Sequence, residues 1–274
     1  MKNQLSACVL GSSSAGNSTV VWNAKTALLI DCGLGPVYLS KQLTKLGLRI
    51  QELDGVFVTH IHGDHVNEST VRNLIKLCIP IYCPPEIEHH LRKKYKSIAG
   101  AFDEKLLIVI KKSEVELEAL SVRAFEVPHD STGGCFGYNI FCDAGARTKK
   151  VSVATDMACV TKSALDHIAD SDLIVIESNY DPAMLEQSGR STWLKCRIRD
   201  DGHLSNDQCA ESLLQAIDRS ETLPKSIALA HVSRQCNTNA LAHECTDMAL
   251  DRQGVRGISV HETYPGSPSY TMVV

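Results

Sequence analysis

Four side chains able to bind a metal ion fall within six residues of the segment Val56-Phe57-Val58-Thr59-His60-Ile61-His62-Gly63-Asp64-His65. An apolar run leads into His-x-His-x-Asp-His, and a helical pattern follows from Glu68. At the end of such a run, period two puts His60 and His62 on one face. Gly63 permits a tight turn that swings Asp64 and His65 back toward the same point. Imidazole nitrogen and carboxylate oxygen suit zinc, manganese or iron, and a mixed set of this size has capacity for two divalent ions rather than one. A solitary histidine is more often a satisfied core or surface residue, but four such groups at a strand end carry polarity that needs a partner.

The elements that must hold this cluster are legible around it. Short apolar runs rich in β-branched residues read as strands at Ser18 to Trp22, Ala27 to Ile30, Gly55 to Val58, Ile79 to Tyr82, Leu106 to Ile110, Ser121 to Val127, Val151 to Ala154, Leu173 to Ile176 and Ser226 to Ala230. Helical spacing occupies Val37 to Leu46, Glu68 to Cys78, Glu86 to Lys94, Lys162 to Ile168, Asn206 to Ser220 and Thr238 to Asp251. Early strands in quick succession with helices interleaved later predict large mixed sheets covered by helices. No repeat, linker or low-complexity tract divides the chain, so residues 1–274 read as a single domain. Pro128 to Lys150 and Ser178 to Asn206 read as long loops of the kind that border active sites.

Composition narrows the class. The 274 residues are 43% hydrophobic and 22% charged, which excludes collagen-like, coiled-coil and disordered chains. Lys plus Arg number 28 against 32 for Asp plus Glu, a formal net charge of -4. That balance rules out gripping nucleic acid by bulk charge but leaves room for a local basic groove. Arg190, Lys195, Arg197 and Arg199 form one such run without an acidic residue, and Arg92, Lys93, Lys94 and Lys96 form another. Eleven cysteines, an odd number with no Cys-x-x-Cys pair, indicate neither a thiolate zinc knuckle nor a disulfide framework. The expected setting is reducing and cytoplasmic. Leu5 to Leu10 is too short for a signal-peptide core, and no apolar run approaches the roughly eighteen residues of a membrane helix.

The His60 to His65 segment resembles the signature of the metallo-β-lactamase superfamily. The resemblance implies an α/β fold, the αββα four-layer sandwich of two mixed β-sheets flanked by helices. By position it also implies further ligands at His129 in Val127-Pro128-His129-Asp130, Asp156 in Ala154-Thr155-Asp156-Met157, and His231 in Leu229-Ala230-His231-Val232. His60, His62 and His129 would then hold one ion, Asp64, His65 and His231 the other, with Asp156 between them. Gly202-His203-Leu204-Ser205-Asn206 resembles a segment of the tRNase Z and phosphodiesterase branches, and Glu177 matches their acidic residue at a strand end. That match makes His203 the general acid and Glu177 the residue that orients it. Local physics agrees: Ser205 or Asn206 is a suitable N-cap for the helix that follows, and a histidine beside an acid can donate a proton to an alkoxide.

A narrower likeness, to the YycJ/WalJ family, rests on Gly11-Ser12-Ser13-Ser14-Ala15-Gly16-Asn17-Ser18, Ile174 to Leu185, Leu194-Lys195-Cys196-Arg197-Ile198 and His231-Val232-Ser233-Arg234-Gln235-Cys236-Asn237-Thr238. It spans Val9 to about Leu250, and Tyr180, Cys196 and Cys236 depart from it. It implies a 5'-to-3' double-strand DNA exonuclease in which a hydroxide activated by two metal ions (zinc or manganese, with iron an option) attacks phosphorus. Asp64, His203 and Glu177 are its catalytic residues in this reading. Ser12, Ser13, Asn17, Lys195, Arg197, Ser233 and Asn237 are the expected substrate contacts, and duplex DNA ends the expected partner. The alternatives are an RNA-processing or small-molecule phosphodiesterase of the same fold, and a non-catalytic metal-binding scaffold.

Overall fold

In the computed structural model, which describes residues 4–103, 105–111, 114–145 and 147–274, the apolar runs assemble into two seven-stranded mixed sheets. Strands β1 (Ser6–Gly11), β2 (Ser18–Trp22) and β3 (Ala27–Ile30) form an antiparallel meander. Helix α1 (Pro36–Lys45) then leads to β4 (Gly55–Phe57), α2 (Glu68–Lys76) to β5 (Ile81–Cys83), and α3 (Pro85–Lys94) with α4 (Lys96–Asp103) to β6 (Leu107–Val109), each strand joining in parallel.

The second sheet repeats this plan. Strands β7 (Val115–Glu116), β8 (Ser121–Val127), β9 (Cys135–Asp143) and β10 (Thr148–Ala154) pair antiparallel. Helix α5 (Lys162–Ile168) crosses to β11 (Leu173–Glu177), then α6 (Pro182–Gln187), α7 (Thr192–Arg197) and α8 (Asn206–Asp218) to β12 (Ser226–Ala230), and α9 (Asn239–Arg252) to β13 (Ser259–Glu262), all parallel. Strand β14 (Met272–Val273) returns to pair with β1.

Alternation along each strand divides the apolar side chains between layers. Ala7, Val9, Val151, Val153, Leu173, Val175, Ala228 and Ala230 pack between the sheets. Their sequence neighbours face outward: Cys8 and Leu10 meet α1 to α4, while Ile174, Ile176, Ile227 and Leu229 meet α5, α8 and α9. The result is the αββα four-layer sandwich. Tyr138, fully buried between the sheets, donates its hydroxyl to the Val58 carbonyl at 2.7 Å, which leaves no orphaned polar group there. Among the described residues no helix is long and apolar enough to cross a membrane.

Three expectations change. The stretch from Pro128 to Lys150, read as a loop because its glycines break the apolar pattern, contains β9, a nine-residue strand hydrogen-bonded on both sides by β8 and β10. Two ladders outweigh the weak local propensity of Gly137 and Asn139. Ser178 to Asn206 holds α6, α7 and a π-helical turn over Ile198–Gly202 rather than open loop. Finally, β4 ends at Phe57, so His60 and His62 lie in the loop beyond the strand and not on its face.

Candidate metal centre

Residues immediately after strand ends converge on one point. His60, His62, Asp64 and His65 follow β4, His129 follows β8, Asp156 follows β10, Glu177 ends β11 and His231 follows β12. Two of the turns take a backbone shape that L-residues rarely adopt: φ is 60° at Asp156 and 53° at His231. Such conformations cost energy and persist only where the surroundings over-determine them. At His231 the surroundings include the Ser12 hydroxyl, which accepts from the His231 N–H at 2.7 Å, and Asn179, which donates to the His231 carbonyl at 2.7 Å.

The donor atoms form contiguous sets. His60, His62 and His129 place ligand atoms within 4.8 Å of one another, and so do Asp64, His65 and His231. Asp156 lies between the two sets, with Oδ2 3.0 Å from His65 Nε2 and Oδ1 3.3 Å from His231 Nδ1 and 3.9 Å from His129 Nε2. His60 Nε2, His231 Nε2 and Asp156 Oδ2 are buried and take no hydrogen bond; the short approach of Asp156 Oδ2 to His65 is out of line for one. Buried polar atoms are rarely left without partners. Three orphans pointing into a single His/Asp cluster fit divalent metal ions, which take up those lone pairs.

The remaining imidazole nitrogens are tied down from behind, and this sets which nitrogen faces inward. His60 Nδ1 donates to Thr59 Oγ1 at 3.0 Å, His129 Nδ1 to the Gly202 carbonyl at 2.7 Å, and His65 Nδ1 to Asp31 Oδ2 at 2.6 Å. Asp31 also accepts from the Thr59 N–H and hydroxyl. Glu177 Oε1 accepts from both His203 Nδ1, at 2.7 Å, and His231 Nδ1, at 2.8 Å. Its Oε2 takes the N–H groups of Met157 and Leu204. One carboxylate thus orients His203 and a candidate metal ligand together.

Burial pushes His60, His62 and His129 down, His62 to about 4, so these three are neutral at pH 7; His60 Nε2 has no partner, while His129 Nε2 faces His62 Nδ1 at 3.2 Å. Burial would also lower His65 and His231, but Asp156 with Asp31 in the first case, and Asp156 with Asp64 and Glu177 in the second, outweigh it. His65 is raised well above its ordinary value and His231 to about 10. Burial works to raise Asp64 and Asp156 as well, yet the facing imidazoles hold both carboxyls well below the carboxylate range. A divalent ion bound here would have to displace the protons of these ion pairs.

A cavity of about 230 Å³ opens over the cluster, lined on one side by His62, Asp64, His129, Asp156, His203 and His231. Ser14, Arg190, Leu194, Arg197, Ile198 and Gly202 complete it. Of the seven expected substrate contacts, only Arg197 lines this space. Ser12, Ser13, Asn17 and Asn237 are sealed in its wall. Asn17 Oδ1 accepts from Ser12 and Ser13, and its amide faces Asp64 Oδ2 at 3.2 Å and His65 Nε2 at 3.0 Å. Asn237 binds Asn206 and the Ser178 and Asn179 carbonyls, locking the exit of β11 to the start of α8. The Ser233 hydroxyl accepts from the Cys236 N–H, and Lys195 turns to the Glu186 carbonyl. The polar atoms named here face protein groups and not the cavity.

Arg190 and Ser14 reach the cavity without having been assigned to it. Arg190 Nε is buried with no partner, while its Nη2 donates to Gln235 at 3.2 Å. Arg190 lies within the basic run, and Ser14 within the segment Gly11 to Ser18, so their neighbourhoods are visible in the sequence but their directions are not. Asp31 left only a faint signal, an acid at the end of the apolar run Ala27 to Ile30.

The β-lactamase superfamily domain matches residues 26–225 of the chain. Exodeoxyribonuclease WalJ of Streptococcus pneumoniae is 28% identical over 239 residues, covering 86% of this chain and 84% of that protein. Exodeoxyribonuclease YycJ of Bacillus anthracis is 28% identical over 267 residues, covering 95% and 96%. Among solved structures, the metallo-β-lactamase fold protein YhfI from Bacillus subtilis superposes with a TM-score of 0.69 at 15% identity, over 99% of this chain and 100% of that one.

Proposed function

This chain belongs to the β-lactamase superfamily, in its metallo-β-lactamase fold, and from that premise we propose that it is a metal-dependent phosphodiesterase acting as a 5'-to-3' exonuclease on double-strand DNA, with residues 1–274 as one domain. The observation that carries the phosphodiesterase reading is the His203–Glu177 pair, bonded at 2.7 Å in the wall of the metal cavity. Cleaving a phosphodiester expels an alkoxide that needs a proton, and a histidine held by a carboxylate can supply one. The DNA part is supported by the two relatives named exodeoxyribonucleases.

His60, His62 and His129 would hold one divalent ion and Asp64, His65 and His231 a second, with Asp156 shared. Such ions supply Lewis-acid charge for a phosphoryl oxygen and lower the pKa of water toward about 7. The chain's own residues do the rest. Arg190 and Arg197 bring positive charge to the cavity wall for the remaining phosphate oxygens. Glu177 fixes the His203 ring through Nδ1, leaving Nε2 as the nitrogen available to substrate. The attacking water first loses one proton to solvent; as its oxygen then bonds to phosphorus and the P–O bond to the leaving group breaks, His203 Nε2 gives its proton to the departing oxygen.

The test uses linear 5'-phosphorylated duplex DNA, end-labelled on either strand terminus, with manganese or zinc. Nucleotide release from the 5' end, abolished by Asp156→Ala, is expected. His203→Ala should keep its bound metal and slow release about 10² to 10⁴-fold, the range for a lost acid. Metal-loaded protein that degrades RNA or a small phosphodiester but not DNA would transfer the activity to that substrate. Metal-loaded protein inert toward all three would leave a metal-binding scaffold.

A further inference from the structure

Helix α7 is anchored by Leu194, which packs with Ile198 against Tyr180, Leu185 and Cys236. Its other side carries Trp193, which is 71% exposed and contributes nothing to that cluster. Trp193 and Arg197, four residues apart, share a helix face, and the Arg197 guanidinium lies 5.9 Å from the centre of the indole ring. Arg197 also pairs with Asp130, the residue after His129, so the pair is tied to the metal cluster through one carboxylate.

Arg197 stands between two cavities. One is the metal cavity, with Arg190 and Arg197 on its wall; the other, about 280 Å³, is lined by Trp193, Arg197, Cys196 and the acids Asp130, Asp200 and Asp201. Charge sorts a nucleotide between them. Phosphate is drawn to the wall that carries both Arg190 and Arg197; the second cavity holds three acids, of which Asp130 and Asp200 already pair with Arg197 and Arg199, and its indole offers a flat face on which a base can stack.

We propose that the cavity walled by Trp193 and Arg197 is a nucleobase subsite, in which a base flanking the scissile phosphate leaves the helical stack and lies against the indole. It rests on the reading that the metal cavity takes a nucleic-acid phosphodiester, and it adds how that substrate is gripped. Stacking on an aromatic face is indifferent to base identity, which suits an enzyme that must pass along any sequence.

The test compares wild type, Trp193→Ala and Trp193→Phe on duplex DNA whose terminal or penultimate nucleotide is either intact or an abasic analogue. Trp193→Ala should raise KM about 5- to 150-fold on intact ends, the span for losing one base–aromatic stack. It should change little on the abasic end that removes the same contact, and phenylalanine should restore most of the loss. Equal KM for all three proteins on intact ends, or an equal penalty on abasic ends, overturns the proposal. A second readout is independent of hydrolysis. The chain has two tryptophans, so Trp22→Phe leaves Trp193 as the only indole emitter. Its fluorescence should be quenched by the intact oligonucleotide and not by the abasic one. Were the protein to cleave no DNA at all, this quenching would still decide whether the subsite exists. Emission that follows protein concentration instead of added oligonucleotide would assign the face to self-association and overturn the proposal.

Discussion

Asp31 bears more on the metal centre than its place in the sequence suggests. Its carboxylate fixes the His65 ring at 2.6 Å and holds the Thr59 hydroxyl, which in turn receives His60 Nδ1. Its backbone φ is 63°, a region asparagine tolerates, so Asp31→Asn removes the charge while sparing the turn. Metal affinity should fall about 10- to 100-fold, as for other partners of ligating histidines, measured by competition with a chromophoric chelator. Unchanged affinity would mean that Asp31 does not orient His65 for metal. The same residues fix a pH dependence. His65 and His231, the latter raised to about 10, carry protons in the metal-free protein at neutral pH. A divalent ion must displace these protons, so affinity rises with pH through the neutral range and levels off once pH passes the raised values. Calorimetric titration in buffers of different ionisation enthalpy should report about one to two protons released per protein; zero release would contradict the protonated state.

Among the connecting elements, the glycine that matters is not the one inside the ligand motif. Gly63 was expected to supply turning freedom, yet a β-carbon built there meets nothing within 4 Å, and its φ is not among the positive ones. Gly33, after β3, lies against the ligand loop: a β-carbon there would stand 1.7 Å from the Asp64 carbonyl oxygen, which also accepts from the Asn17 N–H at 2.8 Å. Gly33→Ala should therefore displace the loop carrying Asp64 and His65, lowering both bound metal and melting temperature, whereas Gly63→Ala leaves both within error. Metal analysis and thermal denaturation of the two variants make the comparison; equal behaviour would remove the role given to Gly33. The π-helical turn over Ile198–Gly202 shows similar economy, since it aims the Gly202 carbonyl at His129 and delivers His203 to Glu177.

At the scale of the whole molecule, the two halves share one plan, an antiparallel meander followed by parallel crossovers, and each half brings candidate ligands to the common centre. His60, His62, Asp64 and His65 come from the first sheet's loops; His129, Asp156 and His231 come from the second's. Metal held by these residues would clamp the sheets together, and its removal should then destabilise the entire fold. A ligand at about 1,000 times its Kd contributes about 4 kcal/mol, so exhaustive chelation should lower Tm by on the order of 10 °C; a Tm that ignores chelation would argue against the clamp. The sequence by itself determined the donor chemistry, the strand and helix alternation, and an N-cap at Ser205 or Asn206, of which the structure uses Ser205 at the start of α8. Each of these depends on side-chain type and on spacings of a few residues. Asp156, Glu177, His203 and His231 were legible only through their likeness to a family, because no local pattern ties them to His60. Tertiary structure alone decided that Ser12, Asn17 and Asn237 would be sealed inside the wall while Ser14, Arg190 and Trp193 faced outward. Neighbouring serines and arginines are chemically alike along the chain; which of them is spent on protein contacts depends on partners such as the His231 N–H, 219 residues away from Ser12.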